Sequence, residues 1–223
     1  RDVISAFDVD PAKVFVTPLG VAPRFRPIED APSRVAGRYG IENPYILAAV
    51  GSGHPRKNLV GVVEAFSALA QPDLSLVIVG AAQRDQAAVR AAEASPLKDR
   101  IHLLGYVPQE DLPMIYSAAS VFCFPSLYEG FGLPVLESMA CGTPVVCSNT
   151  SSLPEVAGDA AVLIDPSDPA QLPRAIGEVL RDGELSARLS AAGRRRAAGF
   201  TWERCARMTL EAYRYAAEAG SRN

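Results

Sequence analysis

Seven short apolar runs, rich in β-branched residues, recur along the chain at 14–18, 45–50, 74–79, 101–104, 121–124, 144–147 and 161–164, separated by longer stretches of helical periodicity. Most of these runs are nearly continuously apolar, as strands covered on both faces should be. Strands of that kind alternating with helices predict an α/β fold built on a doubly wound parallel sheet. The helical stretches carry their own signals. Residues 58–70 place Leu59, Val62, Val63, Phe66 and Leu69 on one face. Near residue 168, Asp168 can cap a helix, Pro169 can take its first position, and Gln171 can reach back in a capping box. A last helix is expected from about Thr201 to Ala219, with Trp202, Cys205, Met208, Ala212 and Tyr213 on its apolar side.

Composition narrows the possibilities. The 223 residues are 48% hydrophobic, enough for one large or two small domains with a real core. A net charge of −3 gives no basic surface for nucleic acid, and the Arg194-Arg195-Arg196 triplet reads as a solvated helix face. Cys123, Cys141, Cys147 and Cys205 have neither metal-ligand spacing nor a CxxC pair, which points to a reducing cytoplasm and to no metal site. No apolar run approaches the roughly 18 residues of a membrane span, and no signal peptide is visible. The chain opens on Arg1, which suggests a fragment of something longer.

The densest chemistry lies at residues 129–137, Glu-Gly-Phe-Gly-Leu-Pro-Val-Leu-Glu. Pro134 can occupy the first helical position, so residues 134–141 fit a short helix closed by Gly142. Its amino end offers amides and a positive dipole to an anion. Glu129 then stays in the preceding loop, while Glu137 sits about one turn inside the helix. Carboxylates would repel phosphate, so these two are better placed to accept hydrogen bonds from hydroxyls. A ligand with both phosphate and many hydroxyls is a nucleotide sugar.

Two other loops follow strands and lead into helices, where open parallel sheets bind ligands. The first, residues 51–58, carries Gly51, Ser52, Gly53, Arg56 and Lys57. Its glycines let the backbone approach phosphate, and an arginine fork beside a lysine point charge suits a diphosphate. An ordinary surface loop with incidental charges is the alternative. The second, residues 104–108, could read a base edge with backbone groups and set Tyr106 or Val107 against its face, although a plain strand-to-helix turn fits equally.

In order, Val77-Ile-Val-Gly80, Leu104-Gly-Tyr-Val-Pro108, the stretch from Pro125 to Glu137, Ala140-Cys-Gly-Thr-Pro-Val-Val146 and Leu153-Pro-Glu-Val-Ala-Gly158 form a run that resembles the C-terminal half of retaining glycosyltransferases of family four. Val16-Thr-Pro-Leu-Gly-Val21 with Phe25 looks like that family's interdomain segment, and Phe200-Thr-Trp-Glu203 like the start of its final helix. The resemblance implies a Rossmann-like sheet forming the C-terminal half of a GT-B fold. It divides the chain into a lead-in at 1–39, a nucleotide-sugar-binding domain at 40–200, and a helix at 201–223 that packs toward an absent N-terminal acceptor domain.

The resemblance also implies roles. Glu129 corresponds to the glutamate beside the transferred sugar, and Glu137 to the one that hydrogen-bonds the ribose. Gly130, Phe131, Gly132 and Leu133 supply amides, and Arg56 and Lys57 neutralise the diphosphate without a metal ion or other cofactor. The expected donor is a GDP-, UDP- or ADP-linked hexose, with mannose favoured by the Pro-Arg-Lys-Asn loop. Many members carry arginine where this chain has Ser52. His54 is expected to face solvent, His102 to be structural, and Glu155 to anchor a loop. Two alternatives remain, a non-catalytic nucleotide-sugar-binding module and a GT-B-like sugar-nucleotide epimerase.

Overall fold

The computed structural model describes residues 2–42, 44–51 and 53–220, which form two compact units. The larger runs from Val21 to Gly199. Its strands are β1 (Tyr45–Val50), β2 (Ser75–Gly80), β3 (Ile101–Gly105), β4 (Val121–Phe124), β5 (Val145–Ser148) and β6 (Val162–Ile164). All pair in parallel in the order β3-β2-β1-β4-β5-β6, a doubly wound Rossmann-like sheet. The six runs from residue 45 onward are therefore strands to within one residue at most ends.

Alternation along each strand feeds two buried layers. Ile46, Ala48, Leu76, Ile78, Val121 and Cys123 face α3 (Leu59–Leu69) and α8 (Gln171–Arg181), with α4 (Gln86–Ala94) alongside. On the opposite face α6 (Leu133–Ala140) packs on β4 and β5 and α7 (Leu153–Ala157) on β5, with α5 (Leu112–Ala118) beside α6, α2 (Ala31–Tyr39) against α5, and α9 (Gly183–Ala198) against both α6 and α8. Coverage of both faces explains why Leu47, Val77, Phe122 and Val145, all fully buried, show no polar partner in the alternation. The thiols of Cys123, Cys141 and Cys147 lie in this interior, free, and burial pushes each up to about 12.

Residues 21–39, placed in the lead-in by the sequence, belong to the sheet unit. Phe25 stacks edge-on to Tyr116 at 5.9 Å, and Tyr39 Oη donates to Asp111 Oδ2 at 2.6 Å. The smaller unit joins the residues up to Gly20 with those from Phe200 onward, including α1 (Asp2–Phe7) and α10 (Trp202–Gly220). The strand expected at 14–18 does not form. Val14 leaves a 3-10 turn (Pro11–Lys13) in extended conformation, but no strand lies beside it, and Phe15 packs on the Tyr215 ring at 5.0 Å instead. The last helix starts as expected, with Thr201 Oγ1 accepting from the Arg204 amide at 3.1 Å. Its apolar side is thinner than the pattern suggests, because Trp202 and Tyr213 are exposed.

Three local expectations are corrected. The helix after the two-glutamate loop begins at Leu133, so Pro134 takes its second position. The helix near residue 168 begins at Gln171. Its Gln171 side chain does reach back, accepting from the Asp165 amide and donating to the Asp168 carboxylate, both at 3.0 Å. Arg196 is no solvated cation: its Nε donates 3.0 Å to Val156 O and its Nη2 donates to Glu155 O, at the carboxyl end of α7.

Candidate functional site

The strand order reverses between β1 and β4, and the loops leaving their carboxyl ends meet there. After β1, His54 Nδ1 accepts from the Arg56 amide at 3.1 Å and caps a 3-10 turn (Pro55–Lys57) that presents both cations. After β4 comes the loop carrying Glu129. The backbones are laced together, with the Leu127 amide donating to Arg56 O at 2.7 Å and Arg56 Nη1 donating to Tyr128 O at 2.6 Å.

Glu129 sits between the two cations. Lys57 Nζ lies 2.5 Å from Oε1 and Arg56 Nη1 lies 3.1 Å from Oε2. Lys57 and Glu129 are each only 8% exposed, whereas Arg56 is 37% exposed. The ammonium also rests 4.7 Å from the centre of the Phe124 ring, an added attraction for a desolvated cation. The cluster keeps one net positive charge at the switch point.

A neighbouring strap fixes the loop. Thr150 Oγ1 lies 3.4 and 3.3 Å from the carbonyls of Ser126 and Leu127. Ser151 Oγ accepts from the Glu129 amide at 3.0 Å, and Ser152 Oγ lies 3.0 and 2.8 Å from the carbonyls of Glu129 and Phe131. Ser151 holds a left-handed φ of 53°, a conformation costly for a residue with a Cβ. Gly132 then turns the chain into α6 with φ 111°, where a Cβ would press on Leu153 Cδ2 at 2.7 Å. Gly51 and Gly130 are exposed, and a Cβ at either would meet nothing within 4 Å.

Beside this cluster, at the same sheet edge, opens a cavity of about 430 Å³ lined by Gly51, Arg84, Tyr106, Val107, Tyr116 and Glu137, among others. Tyr106 is 83% exposed and Val107 is buried. The Glu137 carboxylate accepts from Tyr116 Oη at 3.1 Å. Burial raises the Glu137 carboxyl above its usual value, against the lowering effects of the Tyr116 hydroxyl and the Arg24 charge. Burial and the Glu137 charge push the Tyr116 hydroxyl well up.

The structure thus gathers the sequence candidates into two adjoining groups. Arg56, Lys57 and Glu129 form one, and Gly51, Tyr106, Val107 and Glu137 line the other. Gly130, Phe131, Gly132 and Leu133 run between the two glutamates. Ser52 lies outside the described residues. His54 is exposed, His102 is half-buried in β3, and Glu155 is exposed on α7. Sequence reading overlooked Tyr116, the strap and Arg84. The Thr150-Ser151-Ser152 run after β5 was a visible signal, since hydroxyls at that sheet edge have carbonyls to serve. Among the described residues no group of three or more His, Cys, Asp or Glu is placed to hold a metal ion.

A parallel sheet of this order, with loops meeting at its switch point, defines a doubly wound domain of the Rossmann-like, nucleotide-binding type. The model of the family "Glycosyl transferases group 1" matches residues 36–196, and the chain belongs to that family. It is 36% identical to O-antigen chain mannosyltransferase B of Escherichia coli, over 96% of this chain and 57% of that protein. It is 33% identical to the MMP alpha-(1->4)-mannosyltransferase of Mycolicibacterium hassiacum, over 95% of this chain and 51% of that protein. Among solved structures it resembles sucrose-phosphate synthase from Thermosynechococcus elongatus, with TM-score 0.78 and 30% identity over 91% of this chain and 52% of that one. The chain spans about half the length of these relatives. No helix among the described residues is long and apolar enough to cross a membrane.

Proposed function

We propose that this chain binds the nucleoside-diphosphate-sugar donor of a retaining hexosyltransferase, in a cytoplasmic reaction completed by an acceptor-binding half outside these residues. The observation that carries the reading is the cluster at the switch point, where two cations share one buried carboxylate beside a cavity ending in Glu137. The net positive charge attracts a diphosphate. As the bond from the anomeric carbon to the diphosphate breaks, negative charge grows on the departing phosphate. Arg56 and Lys57, already oriented, stabilise it without reorganisation and without recourse to a metal. Glu129 faces the sugar's hydroxyls and its developing positive charge, and Glu137 accepts from the ribose hydroxyls. Retention of configuration is supported by the likeness of the two-glutamate motif to retaining enzymes, and mannose by the mannosyltransferase relatives. Free cysteines suit a reducing compartment.

Calorimetric titration of the chain with GDP, UDP, ADP and their mannose and glucose conjugates tests the reading. Binding of at least one diphosphate is expected, weakened by Arg56→Ala. No binding by any nucleotide at millimolar concentration would remove the donor site.

A further inference from the structure

We infer that Arg84 selects the base of the nucleotide, and that the base selected is guanine; this rests on the donor-site reading. Counting outward from the switch point, β1 is followed by β2 and then β3. Neighbouring strands lie about 4.8 Å apart, so the loop after β3 is roughly 10 Å from the loop after β1. Phosphates held by Arg56 and Lys57 at β1 and β4, with a ribose at Glu137, send the base toward the loops after β2 and β3. Those loops bring Arg84 and the Tyr106–Val107 pair to one cavity.

Arg84 is positioned for such a role. It ends a 3-10 turn (Ala82–Arg84) directly after β2, and its amide donates to Ala81 O at 3.0 Å. Its stem lies against Gly53, where a Cβ would come 2.9 Å from Arg84 Cβ and 2.3 Å from Ala81 O. Gly53, at φ 62°, therefore lets the turn close onto the first donor loop. The adjacent Asp85 carboxylate caps the next helix, its Oδ1 accepting from the amides of Ala87 and Ala88 at 3.2 and 3.1 Å. Among the described residues, ion pairs engage Arg34, Arg38, Arg56 and Lys57, and none engages Arg84. Of the side chains lining the cavity, Arg84 alone is cationic.

An exposed guanidinium facing a base edge offers parallel N–H donors and no acceptor. Guanine answers with two adjacent acceptors, O6 and N7, whereas adenine sets an amino donor beside N7 and uracil separates its two carbonyls by the N3–H donor. The match favours guanine over adenine by about 5- to 150-fold, the range of one bidentate arginine contact. Uracil falls between.

The test is equilibrium binding of GDP, UDP and ADP to the chain and to Arg84→Gln and Arg84→Lys, with thermal unfolding as the control for folding. GDP is expected to bind most tightly. Arg84→Gln should abolish or reverse the preference for GDP over ADP, since its amide offers one donor and one acceptor, the pattern that suits adenine N7 and N6 and not guanine O6 and N7. Arg84→Lys should keep general affinity but lose most of the preference, because an ammonium is a point charge. Equal binding of the three nucleotides by the parent chain overturns the inference while leaving the donor site standing. So does an equal loss for all three in Arg84→Gln, which would make Arg84 a base-stacking or charge contact only. Absence of binding by every nucleotide removes the donor reading and this one with it.

Discussion

Glu129→Ala is the most informative single change, because it strands a buried cation. Lys57 and Glu129 are each 8% exposed and their charged atoms lie 2.5 Å apart. Removing one partner of a buried pair costs about 3–5 kcal/mol, most of it the penalty of an uncompensated charge. The second cation contributes less: Arg56 is 37% exposed, and its pairing falls in the range of about 0–1 kcal/mol. Taking the lower bound of about 3 kcal/mol, and about 2–4 °C per kcal/mol for a chain of this size, Tm should fall by about 6–12 °C. Differential scanning calorimetry with urea unfolding measures this. Lys57→Met combined with Glu129→Leu should recover most of the loss, since a buried pair exchanged for apolar groups of similar volume is near neutral. A diphosphate can also stand in for the lost carboxylate, so GDP should raise the Tm of Glu129→Ala more than that of the parent. An alanine variant melting within about 1 °C of the parent would refute the reasoning, as would a double variant no more stable than the single.

Glu137 predicts opposite pH dependences for stability and binding. Its folded carboxyl is raised by burial, so the ionised form destabilises the fold, and stability gained on protonation is lost as pH rises through the folded value. Glu137→Gln should therefore unfold at higher urea than the parent at pH 7, and the difference should disappear below the ordinary glutamate range, while nucleotide affinity of the parent falls over that same descent. Ser151 sits at φ 53° and accepts from the Glu129 amide. Ser151→Gly exchanges that hydrogen bond for relief of left-handed strain, each worth about 1 kcal/mol, so its urea midpoint should stay near the parent's while Ser151→Ala falls. Amide exchange at residues 126–133 should quicken in both variants, and unchanged exchange would show that the strap does not hold the loop.

Most of the fold was legible because its strands are buried on both faces. Runs such as Leu76 to Val79 can be nothing but interior, and their ends are set by glycine or proline. The 14–18 run misled for the same reason: its composition matches a strand, but a strand needs a neighbour, and neighbours are not written in local sequence. The two-glutamate loop was legible through its glycines and proline, although helix entry moved by one residue because Gly132 took the left-handed turn ahead of Leu133. What local pattern could not supply were partners distant in sequence. Tyr116 under Glu137 is 21 residues away, and Ser151 beneath the Glu129 amide is 22 residues away. Arg196 looked like part of a solvated triplet because nothing nearby announced the carbonyls of α7.

The two glutamates are alike in type and opposite in condition. Glu129 is buried between two cations, with Lys57 Nζ at 2.5 Å from one carboxylate oxygen and Arg56 Nη1 at 3.1 Å from the other. Glu137 is held with a tyrosine hydroxyl at 3.1 Å and no cation within bonding distance among the described residues, so burial weighs against its charge. That difference follows from where each lies: Glu129 at the crossing of the β1 and β4 loops, where cations converge, and Glu137 inside α6, facing the cavity. A hydroxyl-rich ligand relieves the second carboxylate by donating to it, and an anionic ligand draws on the cations of the first. A nucleoside diphosphate carries both groups, and the proposed function is that one such molecule meets both carboxylates.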